Sequence, residues 1–237
     1  MQKRNKSSIG ITSKSLNNPS NSTIMKETCD YSNQAYPPSV FYKAACIDFY
    51  LKKYKCKIIT SEFRYGINQF VTDLLILTSR NTISIEIKTE HDDLRRLEGQ
   101  ISESRKHFNL TIVFAAAKHK AELLATLPSD IGITIFDNGQ CKIVRTPKRN
   151  IPDISEIIAS IPALFLRKYF KIHLQVDSDK VRQEVLEHHR PKIKECFSEY
   201  ITNKFSKNYI QFLYDRGEQT HVDDISTLTM KSIIEIN

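Results

Sequence analysis

The sequence predicts an α/β protein: a mixed central sheet flanked by helices, followed by an all-helical C-terminal extension. Two observations support this prediction. Short apolar segments rich in Ile, Leu and Val alternate with amphipathic segments up to about residue 146, and the later segments all have helical spacing. We therefore expect a disordered leader over 1–37, an α/β core over 38–146 and a helical region over 147–237.

The first ordered elements should follow a polar leader. Residues 1–35 are rich in Ser, Asn and Lys and have no apolar period, which is typical of a disordered segment. Beyond two prolines, an apolar stripe predicts a helix that begins at the N-cap Ser39 and ends near Lys55. A strand over Cys56–Phe63 and a turn are expected next.

The centre of the chain predicts a β-hairpin, a long helix and a buried strand. The strands Val71–Thr78 and Thr82–Thr89 are separated by three turn residues, so they should pair antiparallel. Asp92 and Asp93 suit the start of a helix that continues to Phe108, because acids stabilise a helix N-terminus. The almost wholly apolar segment Leu110–Ala117 is typical of a strand covered on both faces.

The remaining segments complete the sheet and then become helical. We expect a helix over Lys118–Leu127, strands over Ile131–Phe136 and Cys141–Arg145, helices over Ile154–Ile161, Ala163–Phe170, Ser178–His189 and Lys192–Leu213, and a short last helix from about Val222.

Composition excludes several classes of protein. No apolar run approaches the roughly 20 residues that cross a membrane, and the N-terminus lacks the apolar stretch of a secretory signal. The five cysteines are scattered without a C-x-x-C pair, so we expect neither zinc nor a disulfide framework, and a cytoplasmic location. The net charge of +8 is spread along the chain and is compatible with a polyanionic partner.

Three residues of the hairpin suggest a reaction: Asp73, Glu86 and Lys88. Side chains alternate along a strand, so Glu86 and Lys88 should share one face while three isoleucines anchor the other. In one register Asp73 lies beside Glu86. Two adjacent carboxylates resist joint ionisation unless a cation lies between them, which predicts Mg²⁺ or Mn²⁺ with the Ile87 carbonyl as a further ligand.

This chemistry suits phosphodiester hydrolysis. A bound metal ion lowers the pKa of a water ligand and stabilises charge on a phosphate, while Lys88 can orient or deprotonate that water. The competing interpretation is a solvated strand face, on which an E-x-K pair contributes about 0–1 kcal/mol to stability.

The pattern resembles the PD-(D/E)xK nuclease superfamily. In that superfamily a metal-binding Asp and an E-x-K motif lie on neighbouring strands that a helix and another strand follow. Asp73, Glu86 and Lys88 match residue by residue, and Thr72 replaces the proline. Glu62 fits the upstream acid of many members. The resemblance covers roughly residues 40–170 and implies a restriction-endonuclease-like fold.

The segment after the motif is similar to an uncharacterised bacterial nuclease-like family with an EIK…LRRL…Q pattern. Its helix glutamine corresponds to Gln100, and the arginines correspond to Arg95 and Arg96. In those relatives the glutamine helps to hold the strand end or the nucleic acid, so Gln100 is a candidate nucleic-acid contact. Arg95 and Arg96 could contact phosphates beside the site, or they could serve solubility and packing on a long helix. Many relatives carry a tyrosine four residues beyond the glutamine, where this chain has Ser104.

The implied function is that of a metal-dependent hydrolase, an endonuclease or deoxyribonuclease that cleaves DNA. Its catalytic residues would be Asp73, Glu86, Lys88 and Glu62, with Mg²⁺ or Mn²⁺ bound by Asp73, Glu86 and Ile87. The alternative is a nuclease-fold protein that binds nucleic acid or a protein partner without cleavage. The C-terminal helical region could bind DNA, another protein or a second copy of the chain as a homodimer.

Overall fold

The computed structural model describes residues 37–173 and 177–229, so the predicted leader over 1–37 lies outside the described residues except for its last position. The strands are β1 Ile58–Tyr65, β2 Phe70–Leu77, β3 Thr82–Lys88, β4 Leu110–Ala116, β5 Gly132–Asp137 and β6 Gln140–Arg145. The α-helices are α1 Pro38–Lys53, α2 Leu97–His107, α3 Lys120–Thr126, α4 Ile154–Ala159, α5 Ala163–Phe170, α6 Ser178–His188, α7 Ile193–Asp215 and α8 Asp224–Leu228.

The six strands form one mixed sheet in the order β1-β2-β3-β4-β5-β6. Three antiparallel pairs, β1–β2, β2–β3 and β5–β6, are joined by short connections. The pairs β3–β4 and β4–β5 are parallel, and the crossovers between them contain α2 and α3. Both the predicted hairpin and the predicted mixed α/β fold with a C-terminal helical region are therefore confirmed.

Helices cover both faces of the central strand β4. Phe114 contacts the ring of Tyr42 on α1, whereas Val113 and Ala115 belong to a second apolar cluster that contains Leu97 and Leu123 of α2 and α3. Alternate side chains of β4 therefore pack into different apolar clusters, which explains why its sequence is a continuous apolar run.

The C-terminal helices pack against the first strand of the sheet. Phe63 on β1 lies 6.3 Å from the ring of Phe197 and 5.7 Å from that of Phe205, both on α7. Beyond α7, the hydroxyl of Thr60 donates to the Leu228 carbonyl at 3.0 Å. The helical region is thus part of the core around the sheet. Within the described residues, no helix combines the length and the apolar character needed to cross a membrane.

Two predicted helix starts were wrong. Helix α2 begins at Leu97, not at Asp92, because the nearby acids stabilise turns instead: Asp92 accepts from the Thr89 backbone N–H at 2.7 Å, and Asp93 from that of Arg95 at 3.0 Å. Helix α1 begins at Pro38, and Ser39 lies inside its first turn.

Candidate active site

The candidate site lies where β2 and β3 separate. Their pairing runs from Leu77 opposite Thr82 to Leu74 opposite Ile85 and then stops, although both strands continue. Continuing this register by one residue would place Asp73 opposite Glu86. The hydroxyl of Thr72 crosses the opening and donates to the Ile85 carbonyl at 3.1 Å.

Asp73 is fixed across this opening by the backbone of β3. Its Oδ2 accepts a hydrogen bond from the Ile87 N–H at 2.7 Å. Burial raises the pKa of Asp73, while the Ile87 hydrogen bond and the positive charges of Lys43 and Lys88 oppose that rise. The N–H and C=O of one strand residue point to the same side, so the Ile87 carbonyl also faces the opening.

Glu86 is buried and only partly hydrogen-bonded. Glu86 is 1 % exposed, and its Oε2 accepts a hydrogen bond from the Gln100 side chain at 3.1 Å. Oε1 has no hydrogen-bond partner among the residues that the structure describes.

Burial, followed by the charge of Asp73, raises the pKa of Glu86 to about 8, whereas the charge of Lys88 and the nearby Thr72 hydroxyl oppose the rise. The Thr72 hydroxyl donates its proton to the Ile85 carbonyl, so it does not supply the missing donor to Oε1. Because α2 covers this side, both faces of β3 are buried as far as Ile87, so Glu86 does not lie on the solvated strand face of the competing interpretation.

Gln100 on α2 joins the two motif side chains of β3. Its Nε2 donates to Glu86, and its Oε1 accepts from Lys88 Nζ at 2.9 Å. Both side chains reach the same amide, so they share a face as strand alternation predicts. The observed contacts fit the role of holding the strand end, because the amide of Gln100 bonds both Glu86 and Lys88 of β3, and its contact with nucleic acid stays a prediction.

Glu62 lies beside this group on a distorted part of β1. The pairs Ser61–Leu74 and Phe63–Thr72 flank an unpaired position, where Glu62 would face Asp73. Glu62 has a left-handed backbone with φ 56°, a conformation that residues with a Cβ rarely adopt. Its carboxylate accepts from Lys43 Nζ at 2.6 Å.

The two arginines that were candidates for nucleic-acid contact are both exposed. Arg95 hydrogen-bonds Asp93 at 2.7 Å, and its side chain is 87 % exposed. Arg96 is also exposed, immediately before α2. Among the residues that the structure describes, neither arginine hydrogen-bonds Asp73 or Glu86, and their contact with nucleic acid stays a prediction.

Three residues near the site escaped the sequence reasoning. Lys43 lies off the apolar stripe of α1 without any motif around it, and only the packing of α1 on the sheet brings it to Glu62. Tyr42, beside it, donates to Glu90 at 2.5 Å. The buried hydroxyl of Tyr65 lies 3.2 Å from that of Ser104, the position at which relatives have a tyrosine. Single lysines and tyrosines are too common in helices and strands for the sequence alone to have identified these three residues.

The site can offer a divalent cation a small set of oxygen ligands. The described residues contain no group of three or more His, Cys, Asp or Glu side chains arranged for a metal ion. Two carboxylates, Asp73 and Glu86, and the carbonyl of Ile87 remain. The orphaned Oε1 of Glu86 and the raised pKa values of both acids fit a cation, because an added positive charge would relieve their repulsion. Mg²⁺ accepts such a set because it retains several waters.

The model of the family described as bacteriophage P4 protein cII matches residues 33–229. No curated protein matches the chain. Among solved structures, the chain is similar to a protein of unknown function from Silicibacter pomeroyi, with 17 % identity, 55 % of this chain and 80 % of that chain covered, and a TM-score of 0.35. Since the family model matches most of the sequence, the chain belongs to the bacteriophage P4 protein cII family.

Proposed function

We propose that this protein is a Mg²⁺- or Mn²⁺-dependent nuclease that hydrolyses phosphodiester bonds in DNA. One observation carries the proposal: the buried Glu86 carboxylate leaves one oxygen without a partner, beside a second acid and a fixed lysine. A buried acid of this kind is destabilising unless something binds it. The resemblance of the D…E-x-K pattern to PD-(D/E)xK nucleases supplies the reaction class and DNA as the substrate.

Some residues of the site would bind the metal ion, and others orient the side chains that bind it. Asp73, Glu86 and the Ile87 carbonyl would hold the metal ion. When bound, the ion would supply a water of lowered pKa and positive charge against the phosphate. The Ile87 N–H keeps Asp73 directed across the opening, and Gln100 keeps Glu86 in place.

Lys88 is suited to act on the substrate from the adjacent position. Its ammonium group is 2.9 Å from Gln100 Oε1, which restricts where a long flexible side chain can lie. From there its positive charge can stabilise a phosphate oxygen on which negative charge develops. If the Lys88 ammonium group exchanged Gln100 Oε1 for a phosphate oxygen, Gln100 Nε2 would still donate to Glu86.

The test is cleavage by the purified chain of linear, circular and single-stranded DNA, and of RNA, with and without Mn²⁺. We expect metal-dependent cleavage that Asp73→Asn and Lys88→Met each reduce by at least about a hundredfold, the usual effect of removing a group that acts on the transition state. Asp179→Asn and Lys180→Met on α6 are matched controls, because both side chains are exposed. They should cleave at the rate of the unmodified protein.

Two results would contradict the proposal. If a folded Asp73→Asn protein cleaved DNA at the rate of the unmodified protein, the site would have no part in the reaction. Salt-dependent DNA binding without turnover on any of the substrates would favour the alternative, a nuclease-fold protein that binds nucleic acid without cleaving it.

A further inference from the structure

Helix α1 directs two consecutive polar side chains at acids that flank the candidate site. Lys43 Nζ lies 2.6 Å from Glu62 Oε1 and 3.0 Å from Ser61 Oγ. Tyr42 donates its hydroxyl to Glu90, which follows β3. The Lys43 side chain is 15 % exposed and that of Glu62 is 48 % exposed, so the ion pair lies at the protein surface with only its lysine end shielded from solvent.

The backbone at Glu62 is arranged so that this ion pair can form. A regular β1 would pair Glu62 with Asp73 and would place two acids directly opposite each other. The left-handed conformation of Glu62 breaks that pair. Its carboxylate meets Lys43 instead, and Ser61, which also contacts Lys43, donates to the Asp73 carbonyl at 3.4 Å.

Lys43 therefore acts on more than one acid of the site. Its charge opposes the rise in the pKa of Asp73, whereas the charge of Glu62 adds to it. Three carboxylates (Glu62, Asp73 and Glu86) and two ammonium groups (Lys43 and Lys88) form this cluster. Lys88 belongs to the motif that defines the site, but Lys43 comes from a helix outside it.

We propose that Lys43 is the resident counter-ion of Glu62 and Asp73, and that it limits how tightly the site binds a divalent cation. A metal ion at Asp73 and Glu86 would bind against the positive charge of Lys43, and Glu62 is unavailable as a ligand while it is paired. This inference rests on the proposed metal site. It predicts that loss of the Lys43 charge leaves a more negative site, which binds the metal more tightly.

The experiment is a calorimetric titration of the full chain with Mn²⁺, together with melting temperatures measured with and without the metal. Lys43→Met keeps most of the side-chain length and removes the charge. We expect it to bind Mn²⁺ about tenfold more tightly, the change that one screened charge produces near a protein surface. Its melting temperature should be lower without Mn²⁺ and should rise more on adding Mn²⁺ than that of the unmodified protein.

Two further variants separate charge from packing. Lys43→Arg keeps the positive charge and should bind Mn²⁺ within about twofold of the unmodified protein, because the electrostatic term is unchanged. Lys106→Met on α2 removes a lysine that pairs with an acid outside the site, Glu103, and should leave the affinity unchanged. If Lys43→Met does not fold, Lys43→Gln provides the same neutral charge with a side chain that can still bond Ser61.

The outcomes separate this inference from the proposed function. If the unmodified protein binds Mn²⁺ and a folded neutral variant binds it equally or more weakly, Lys43 is a packing residue and the inference fails alone. If neither protein binds Mn²⁺, both the inference and the proposed metal site fail. If the neutral variant binds Mn²⁺ more tightly than the unmodified protein and Lys43→Arg does not, the result supports both the inference and the proposed metal site.

Discussion

Two buried acids in this protein have opposite surroundings. Asp48 on α1 is 7 % exposed, and its oxygens accept from the Thr220 N–H at 3.1 and 3.0 Å, the Thr220 hydroxyl at 2.7 Å and Arg216 at 2.8 Å. Glu86 on β3 is buried still more deeply, yet it accepts one hydrogen bond from Gln100, and its other oxygen has no partner in the described part of the chain.

The difference distinguishes an acid that stabilises the fold from one that the fold tolerates. Buried polar groups are normally hydrogen-bonded, because an unpaired one loses its hydration without replacement. Asp48 meets that condition through a cation and a backbone amide, and it ties α1 to the segment after α7. Glu86 does not meet it, which suggests that its carboxylate is kept for a group that binds there.

The largest effect should come from removing the satisfied acid. Asp48→Ala leaves Arg216 without its ion pair and the Thr220 N–H without an acceptor, so we expect a loss of roughly 3–5 kcal/mol in the free energy of unfolding. Urea denaturation at pH 7 measures it. The control Asp179→Ala removes an acid whose side chain is 98 % exposed and should stay within about 0.5 kcal/mol. Equal losses for the two variants would contradict the comparison.

A smaller loss of stability, produced by a rise in pH, is expected at Glu86. Its folded-state pKa of about 8 lies above the ordinary value of 4.5, so the folded state binds more protons than the unfolded state between these limits. Stability should therefore fall as the pH rises through this window, by up to about 1.4 kcal/mol per pH unit, and level off above it. Between pH 5 and 7 we expect a loss of roughly 2–3 kcal/mol.

Glu86→Gln tests that assignment, because its amide has the shape of the protonated acid and does not titrate. Urea denaturation from pH 5 to pH 8 with a chelator present should show a much shallower fall in stability for the variant. Asp73, whose pKa is also raised, accounts for the slope that remains. Identical pH profiles for the two proteins would show that Glu86 is ionised without penalty.

The smallest effect concerns a single donor to Asp48. Thr220→Val removes the 2.7 Å hydroxyl bond and leaves the backbone N–H and Arg216 in place, so we expect a loss of about 1 kcal/mol. Thr126→Val on α3 is the matched control, because that hydroxyl is exposed and bonds only the preceding helical turn. Chemical denaturation of both variants measures their free energies of unfolding. A loss for Thr220→Val near that of Asp48→Ala would mean that the Thr220 hydroxyl alone stabilises the buried Asp48.

Much of the sheet was predictable because local patterns determine it. The four-residue connection between Leu77 and Thr82 allows little except an antiparallel hairpin, and the apolar run of β4 indicates a strand covered on both faces. The start of α2 was not predictable from its acids, because Asp92 and Asp93 stabilise a turn as readily as a helix N-terminus.

The site was predictable in its motif and not in its surroundings. Strand alternation alone places Glu86 and Lys88 on one face. The contact of Lys43 with Glu62 depends on how α1 packs against the sheet, and the left-handed backbone of Glu62 interrupts the pairing of β1 with the strand beside it. The same applies to the missing partner of Glu86 Oε1, because burial by α2 is a property of the assembled fold.

The contacts of β1 with the end of the described chain have a consequence for synthesis. Thr60 bonds the Leu228 carbonyl, 168 positions later, and Ser61 bridges Thr229 on the outer edge of the sheet. Ribosomes add about 5–20 residues per second, so this edge emerges on the order of ten to thirty seconds before the segment that covers it. During that interval the nascent chain presents open backbone groups to other chains, and a chaperone that shields strand edges would improve its yield.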